Sequence, residues 1–593
     1  MSGSYVSTML FKSIIPAAAV FARQAAAQAA GTSNTATGLP DVFPNATATY
    51  FAPGVPTDAP VPGNYTSYLR PRVHFTPPRY FMNDPNGMHR SPDGTWHLYY
   101  QYNPITPVAG NQHWGHATSQ DLYTWTNQKI PFFPPNDYTY LFSGSAVVDT
   151  NNTSGFFPDQ DNGVVAIYTA AEYPNGQQGV QYQAIAYSRD GGYSFEAYEG
   201  NPVLNLNLTQ FRDPHVIWHA ATSRWVMTVA FATEFVIGIY TSSDLKEWEF
   251  ASNFTSHGYL GVQYECPNLV QVPMRGQDEP VWFLLISINP GGPRGGSVSQ
   301  YFPGEFNGTH FVPFDGATRL TDFGKDNYAA QFFYGTEAGQ APIALGWASN
   351  WQYTSLVPTG LIENGQFRSA MTVPRTFELA NISMRGYDLV SAPYNIEAVL
   401  DNELAYNSSL GNGSVISYFA DKVESGAIYL EANITGLTST TRRGTANFTI
   451  SSSVTGEYIR GGIKVAGEPG IWIDRGNLLG FSENPYFSDK FSEEGTFVAD
   501  DGSWDLKVVY DNSIIEVFLN GAQAVGTLSV FPSRQLDTVA VFVGGIPANA
   551  SSSVGIWGLK DTWAPQADGN GTVQGNVTQS SGYVSQRSLF GEQ

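Results

Sequence analysis

The chain has 593 residues, a formal net charge of −22 at pH 7 and a pI near 4.7. So acidic a surface speaks against nucleic-acid backbones and anionic membranes as partners, because phosphate binding needs clustered Lys and Arg. The length exceeds one ordinary core, and Cys266 as sole cysteine leaves no internal disulfide framework or thiolate metal cluster.

In chain order, residues 1–29 read as a signal peptide: Met9 to Lys12, an apolar stretch from Ile14 to Ala22 broken by Pro16, then Ala27-Gln28-Ala29 as the cleavage site. Residues 30–66 are rich in Thr, Ala, Pro and Gly without periodicity and are expected to form a flexible leader. More than a dozen Asn-x-Ser/Thr sequons, among them Asn45, Asn64, Asn152, Asn207, Asn253, Asn307, Asn381, Asn433, Asn447 and Asn570, favour a secreted or cell-wall glycoprotein. After the first segment, no stretch is long and apolar enough to span a bilayer.

Helical periodicity is scarce, and short apolar runs recur. They begin at His97, Val164, Trp225, Val281 and Pro342, spacings of 67, 61, 56 and 61 residues. A second repeat runs out of phase: Ser119-Gln120-Asp121 with Trp125, Ser188-Arg189-Asp190 with Phe195, and Ser243-Asp244 with Trp248, each resembling a hairpin turn closed by an aromatic. Five units, each long enough for four short strands, predict a five-bladed β-propeller over residues 67–380. Two unrelated β-domains with evenly spaced strands are the alternative. Residues 381–405 read as a linker. Runs such as Ala446 to Ile450, Trp504 to Val509 and Ile514 to Leu519 predict a C-terminal β-sandwich over 406–565, and 566–593 read as a disordered tail. The fold class is therefore all-β.

The carboxylates fall in register with the repeat. Asp84, in Met82-Asn83-Asp84-Pro85-Asn86-Gly87, lies 13 residues before its apolar run; Asp213, in Phe211-Arg212-Asp213-Pro214, lies 12 before; Glu265, in Tyr264-Glu265-Cys266-Pro267, lies 16 before. Taken alone, Asp-Pro-Asn-Gly is good turn chemistry. In a propeller, equivalent points near the inner strands converge on the central channel, so three distant acids would share one pocket. Asp322 to Asp326 in the fifth unit and Leu141 to Ser145 in the second would add charged and hydroxyl contacts. Trp114, Trp347 and Trp351 suit sugar platforms, although tryptophan equally builds β-cores.

Paired carboxylates with water excluded suit glycoside hydrolysis. Glu265, between Tyr264, Cys266 and Pro267, has the less polar neighbours, which favours the protonated acid; Asp84, among Asn83, Asn86 and turn amides, is better placed to stay ionised. His113 and His116 lack companion metal ligands, and Asp84-x-Asn86-Gly87 lacks the later positions of a calcium loop, so neither a metal nor another cofactor is expected. Cys266 reads as a packed small hydrophobe.

At these residues the chain resembles glycoside hydrolase family 32, the invertase and inulinase family, and in particular its secreted fungal members. The resemblance rests on Met82 to Gly87, Tyr100-Gln101-Tyr102-Asn103-Pro104, Trp114-Gly115-His116-Ala117, Phe142-Ser143-Gly144-Ser145, Phe211 to Pro214, Tyr264 to Pro267 and Trp347-Ala348-Ser349-Asn350-Trp351, in the family's order. It implies a retaining mechanism with Asp84 as nucleophile, Glu265 as general acid/base and Asp213 as transition-state stabiliser. Asn83, Gln101, Trp114, Phe142, Ser143, Arg212 and Trp351 would line the sugar site. Phe81 stands where the family usually has Trp, and Asp326-Asn327-Tyr328 where Asp-Phe-Tyr is commoner; both bear on substrate preference. The implied partner is a small sugar, sucrose foremost. Exo-inulinase activity, fructosyl transfer, a non-catalytic sugar-binding propeller and homo-oligomerisation stay open.

Overall fold

Five sheets, antiparallel except for a short parallel pairing of Phe367–Arg368 with Tyr80–Arg90, account for the first repeat. The computed structural model describes residues 48–563 except 337–338, 359–366, 384–385, 439–442, 466–469 and 495–501, together with the strands Gln566–Ala567 and Val573–Gln574. The expected signal peptide, residues 30–47 of the expected leader, and all of the expected tail but these four residues lie outside the described residues.

Each of the five apolar runs is the second strand of a sheet: Trp96–Asn103, Val164–Glu172, Arg224–Phe231, Val281–Ile288 and Ile343–Trp347. Each pairs antiparallel with an inner strand, respectively Tyr80–Arg90, Thr139–Val148, Phe211–His219, Tyr264–Val272 and Tyr328–Phe332. Consecutive inner strands are neighbours, and the fifth meets the first through Arg90 N to Tyr334 O at 2.8 Å and Tyr334 N to Met88 O at 2.9 Å, so the ring is closed. The outer turns repeat as well. Ser119 Oγ donates to Asp121 and Ser242 Oγ to Asp244, while Trp125 and Trp248 each donate an indole N–H to the carbonyl three residues back. In the third blade this serine is Ser242, not Ser243.

The sandwich consists of two six-stranded sheets. Strict alternation in Ala427–Thr435 turns Ile428, Leu430, Ala432 and Ile434 into its core against Ala446, Phe448 and Ile450 of the opposite sheet. Burying each of the larger of these side chains contributes roughly 1.5–3 kcal/mol.

Two expectations need correcting. Residues 381–405 are not a linker, because Asp388–Pro393 is the outer strand of the fifth blade and Leu400–Asn407 is already a sandwich strand. The leader is packed from residue 48 onward: Ala52 and Val55 sit on Ile130, and Tyr65 stacks on Trp563 with ring centroids 4.7 Å apart. Arg70, fully buried, ties this segment down by donating to Asn64 O at 2.6 Å and Pro78 O at 3.0 Å.

Candidate active site

All five inner strands break register at the same level: Met82/Pro85, Leu141/Gly144, Arg212/His215, Glu265/Asn268 and Tyr328/Gln331. A bulge re-aims a side chain that the pleat would otherwise direct elsewhere. The bulged positions are Asn83-Asp84, Phe142-Ser143, Asp213-Pro214, Cys266-Pro267 and Ala329-Ala330, so Asp84 and Asp213 lie in bulges, Glu265 immediately precedes one, and the three acids meet at one channel mouth. Asp84 thus sits in a bulged strand, not in a turn. In the fifth blade the equivalent pair is Ala329-Ala330; Asp322 and Asp326 instead bond to the sandwich.

Asp213 (φ 65°) and Cys266 (φ 47°) hold left-handed backbone, which costs on the order of 1 kcal/mol or more for a non-glycine residue. Hydrogen bonds made only there offset it. Asp213 N donates to Thr169 Oγ1 at 3.0 Å, and Cys266 N donates to Asp213 Oδ2 at 3.0 Å. The Cys266 thiol lies between two carboxylates, 3.5 Å from Asp84 Oδ2 and 3.6 Å from Asp213 Oδ2. It is therefore a bridging donor as well as a packed group. Ser143 Oγ donates to Asp84 Oδ2 at 2.7 Å, while Asp84 Oδ1 is buried without a hydrogen-bond partner. Glu265 stands nearer the rim. Its Oε1 accepts from Arg212 Nη2 at 3.1 Å, and its Oε2 accepts from the Tyr328 hydroxyl at 2.5 Å. Arg212 is fixed by Gln263 Oε1 at 2.9 Å and by Gln181 and Gln210.

The electrostatics differ from the sequence expectation. Burial pushes the Asp84 carboxyl up; Ser143 partly counters this, and the charge of Glu265 adds to it. Burial likewise lifts Asp213 to about 7, opposed by Arg212 and reinforced by Glu265 and Asp84. Glu265 faces a guanidinium and a phenol, so the less polar surroundings belong to the aspartates. Burial keeps the Tyr328 hydroxyl and Cys266 thiol protonated, hence both are donors.

Among the remaining candidates, Asn83, Ser143 and Arg212 border the acids, and Phe142 and Trp351 are half-exposed at the rim. Phe81 packs near Trp351, ring centroids 6.0 Å apart, with Trp347 behind both. Trp114 is corrected to a supporting role, since it is 0% exposed and donates to Phe142 O at 3.0 Å. Gln101 stands beside it, its amide on Leu141 O. Gly87 (φ +52°) allows this packing, because a Cβ there would lie 2.6 Å from the Trp114 ring. His116 joins a buried stack with His97 and Tyr99, and His113 bonds to Asn111 O. Sequence reasoning missed Tyr328, Thr169 and Gln181 as site supports. Gln181 and Gln183, buried at period two in the strand Gln181–Ser188, were the available signal.

Residues 74–393 match the glycosyl hydrolases family 32 N-terminal domain, and residues 395–558 match the family's C-terminal domain. The chain belongs to glycosyl hydrolase family 32. Family 32 relatives include an extracellular exo-inulinase of Meyerozyma guilliermondii, 42% identical over 484 residues, covering 78% of this chain and 90% of that protein. Invertase 2 of Saccharomyces cerevisiae is 40% identical over 495 residues, with 78% and 89% covered. Among solved structures, the β-fructofuranosidase of Schwanniomyces occidentalis complexed with fructosyl-erythritol superposes with a TM-score of 0.74 at 34% identity, covering 83% of this chain and 97% of that one. Such agreement makes the propeller-plus-sandwich architecture that of the family.

Proposed function

We propose that this family 32 chain is a retaining β-fructofuranosidase that releases terminal fructose, from sucrose foremost. The observation that carries the reading is the convergence of Asp84, Asp213 and Glu265 on one channel mouth, with Cys266 donating to the first two. The relatives' names, invertase, exo-inulinase and β-fructofuranosidase, support the substrate class.

Asp84 Oδ1, buried without a partner, attacks the anomeric carbon while Oδ2 stays on Ser143. Glu265, at the rim where a leaving group departs, gives its proton to the glycosidic oxygen. As a carboxylate it then takes a proton from the water that releases fructose. Asp213 binds fructosyl hydroxyls through hydrogen bonds that tighten as oxocarbenium character develops. Phe142 and Trp351, both partly exposed, offer the sugar apolar surface, and buried Phe81 backs Trp351. Because water and a second sugar compete for the same intermediate, fructosyl transfer is a partial reaction of this site at high sucrose.

The protein is also proposed to be secreted and glycosylated. Asn207, Asn253, Asn307 and Asn381 of the sequons are exposed, and among the described residues no helix is long and apolar enough to cross a membrane. The deciding experiment incubates purified protein with sucrose and inulin beside Asp84→Asn and Glu265→Gln. Both variants should fold and lose about a thousandfold or more in kcat on sucrose. Near-normal turnover by either refutes its assigned role.

A further inference from the structure

The segment that leads into the fifth inner strand is held by the other domain. Phe323 N donates to Val525 O at 2.7 Å and Asp326 N to Thr527 O at 3.1 Å, so residues 323–326 line the sandwich's edge strand Ala524–Ser529. The strand answers with Thr527 N on Asp322 Oδ1 and Ser529 N on Asp326 Oδ2, each at 2.9 Å. Asp326 is fully buried, and its Oδ2 also accepts from Arg475 Nη1 at 2.9 Å while its Oδ1 accepts from Tyr353. Arg475 is itself immobilised: Nη1 donates to Ser529 O at 2.6 Å, Nε to Ser488 O at 2.8 Å, and the guanidinium lies 3.6 Å from the Phe487 ring centroid.

Two residues beyond Asp326 stands Tyr328, which donates to Glu265 Oε2. Register with the second strand breaks directly after Tyr328, and Ala329 takes a φ of 49°. The tyrosine is therefore placed by its pairing with Trp347 on one side and by the segment before it on the other. A buried ion pair is a weak source of net stability, because desolvation offsets its attraction. What this one supplies is a fixed position.

We propose that Arg475 of the sandwich is a positioning residue for the reaction: by clamping Asp326 it sets the Tyr328 hydroxyl against Glu265 and so holds the proton donor on its axis. This rests on the reading of Glu265 as acid/base. The plain alternative is that the pair only docks the two domains.

The two substrates that separate these are sucrose, whose leaving group needs a proton, and an aryl β-D-fructofuranoside, whose leaving group does not. Arg475→Met should lower kcat/KM on sucrose about tenfold or more, leave the aryl fructoside within about twofold, and be partly rescued by Arg475→Lys. Tyr328→Phe, which removes the hydroxyl that Glu265 accepts from, should show the same split between the two substrates. Arg475→Met should add nothing to that split in the Tyr328→Phe background. If Arg475→Met leaves Asp326 unpaired and the chain unfolded, Arg475→Met/Asp326→Asn removes the orphan charge and is read by the same criteria. Equal losses on both substrates, no loss in a folded variant, or independent effects in the double variant overturn the proposal. Wild type inactive on both fructosides, or Glu265→Gln fully active on sucrose, would instead overturn the functional reading beneath it.

Discussion

His74, just ahead of the first blade, ties the propeller to the sandwich and makes that junction testable by pH. Its Nδ1 lies 2.8 Å from Asp511 Oδ2 and its Nε2 3.5 Å from Glu516 Oε1, with all three side chains 0% exposed. Burial alone would lower the imidazole, but the two carboxylates outweigh it and raise the pKa from 6.5 to about 9. At roughly 1.4 kcal/mol per pH decade, this rise corresponds to about 3 kcal/mol of stability. Because the folded value lies above the unfolded one, the contribution is complete below about pH 6.5 and is lost as pH climbs through about 9. The perturbation is His74→Gln, which keeps a polar side chain and removes the charge. Asp511 retains the Arg72 and Val73 amides at 2.7 and 2.8 Å, and Glu516 retains Arg375 at 2.8 Å, so neither acid is orphaned. Guanidinium unfolding of wild type and variant, followed by tryptophan fluorescence, should give a stability difference about 3 kcal/mol larger near pH 6 than near pH 10. Equal differences at the two pH values would refute a charged His74 at this junction.

Other perturbations report on the site itself. Cys266→Ala removes one donor shared by Asp84 and Asp213; their ionised forms become less favoured, so the acidic limb of kcat/KM should move to higher pH, with kcat down about tenfold. An unchanged profile would reduce the thiol to packing. Gly144→Ala would put a Cβ 2.1 Å from Ile167 O, a backbone atom, immediately after Ser143. The strand must shift, and steady-state kinetics with thermal melts should show about tenfold lower kcat and a loss of roughly 1–3 kcal/mol. Arg212→Lys keeps the charge but not the fork that reaches Glu265, Gln263 and Gln210 together, so kcat/KM on sucrose should fall about ten- to a hundredfold.

Much of this arrangement was legible because it follows from period. The five apolar runs are second strands in every blade, and similar offsets of 13, 12 and 16 residues before three of them put Asp84, Asp213 and Glu265 at the same level. The bulges were not legible: Asp84-Pro85-Asn86-Gly87 read as turn chemistry, yet Pro85, like Pro214 and Pro267, sits inside a strand whose register break turns the neighbouring acid into the channel. The assignment of environments to the acids failed for a related reason. Sequence neighbours of Glu265 are apolar, but its carboxylate meets Arg212 and Tyr328, which come from the third and fifth blades. Asp322 and Asp326 fell near the repeat's phase while serving the sandwich, because the segment carrying them pairs with Ala524–Ser529, some two hundred residues away. The boundary at 381–405 misled in part because the first sandwich strand, Leu400–Asn407, is largely exposed and carries little apolar pattern.

In the proposed mechanism Asp84 carries the fructosyl group between the two half-reactions. That role is tested most directly by mass spectrometry of peptic peptides from Glu265→Gln incubated with an aryl β-D-fructofuranoside, where covalent attack proceeds without acid assistance and release is slow for want of a base. One fructosyl unit should appear on the peptide containing Asp84. A fructosyl unit on another peptide, or none while the aryl leaving group is still released in a burst, would contradict it.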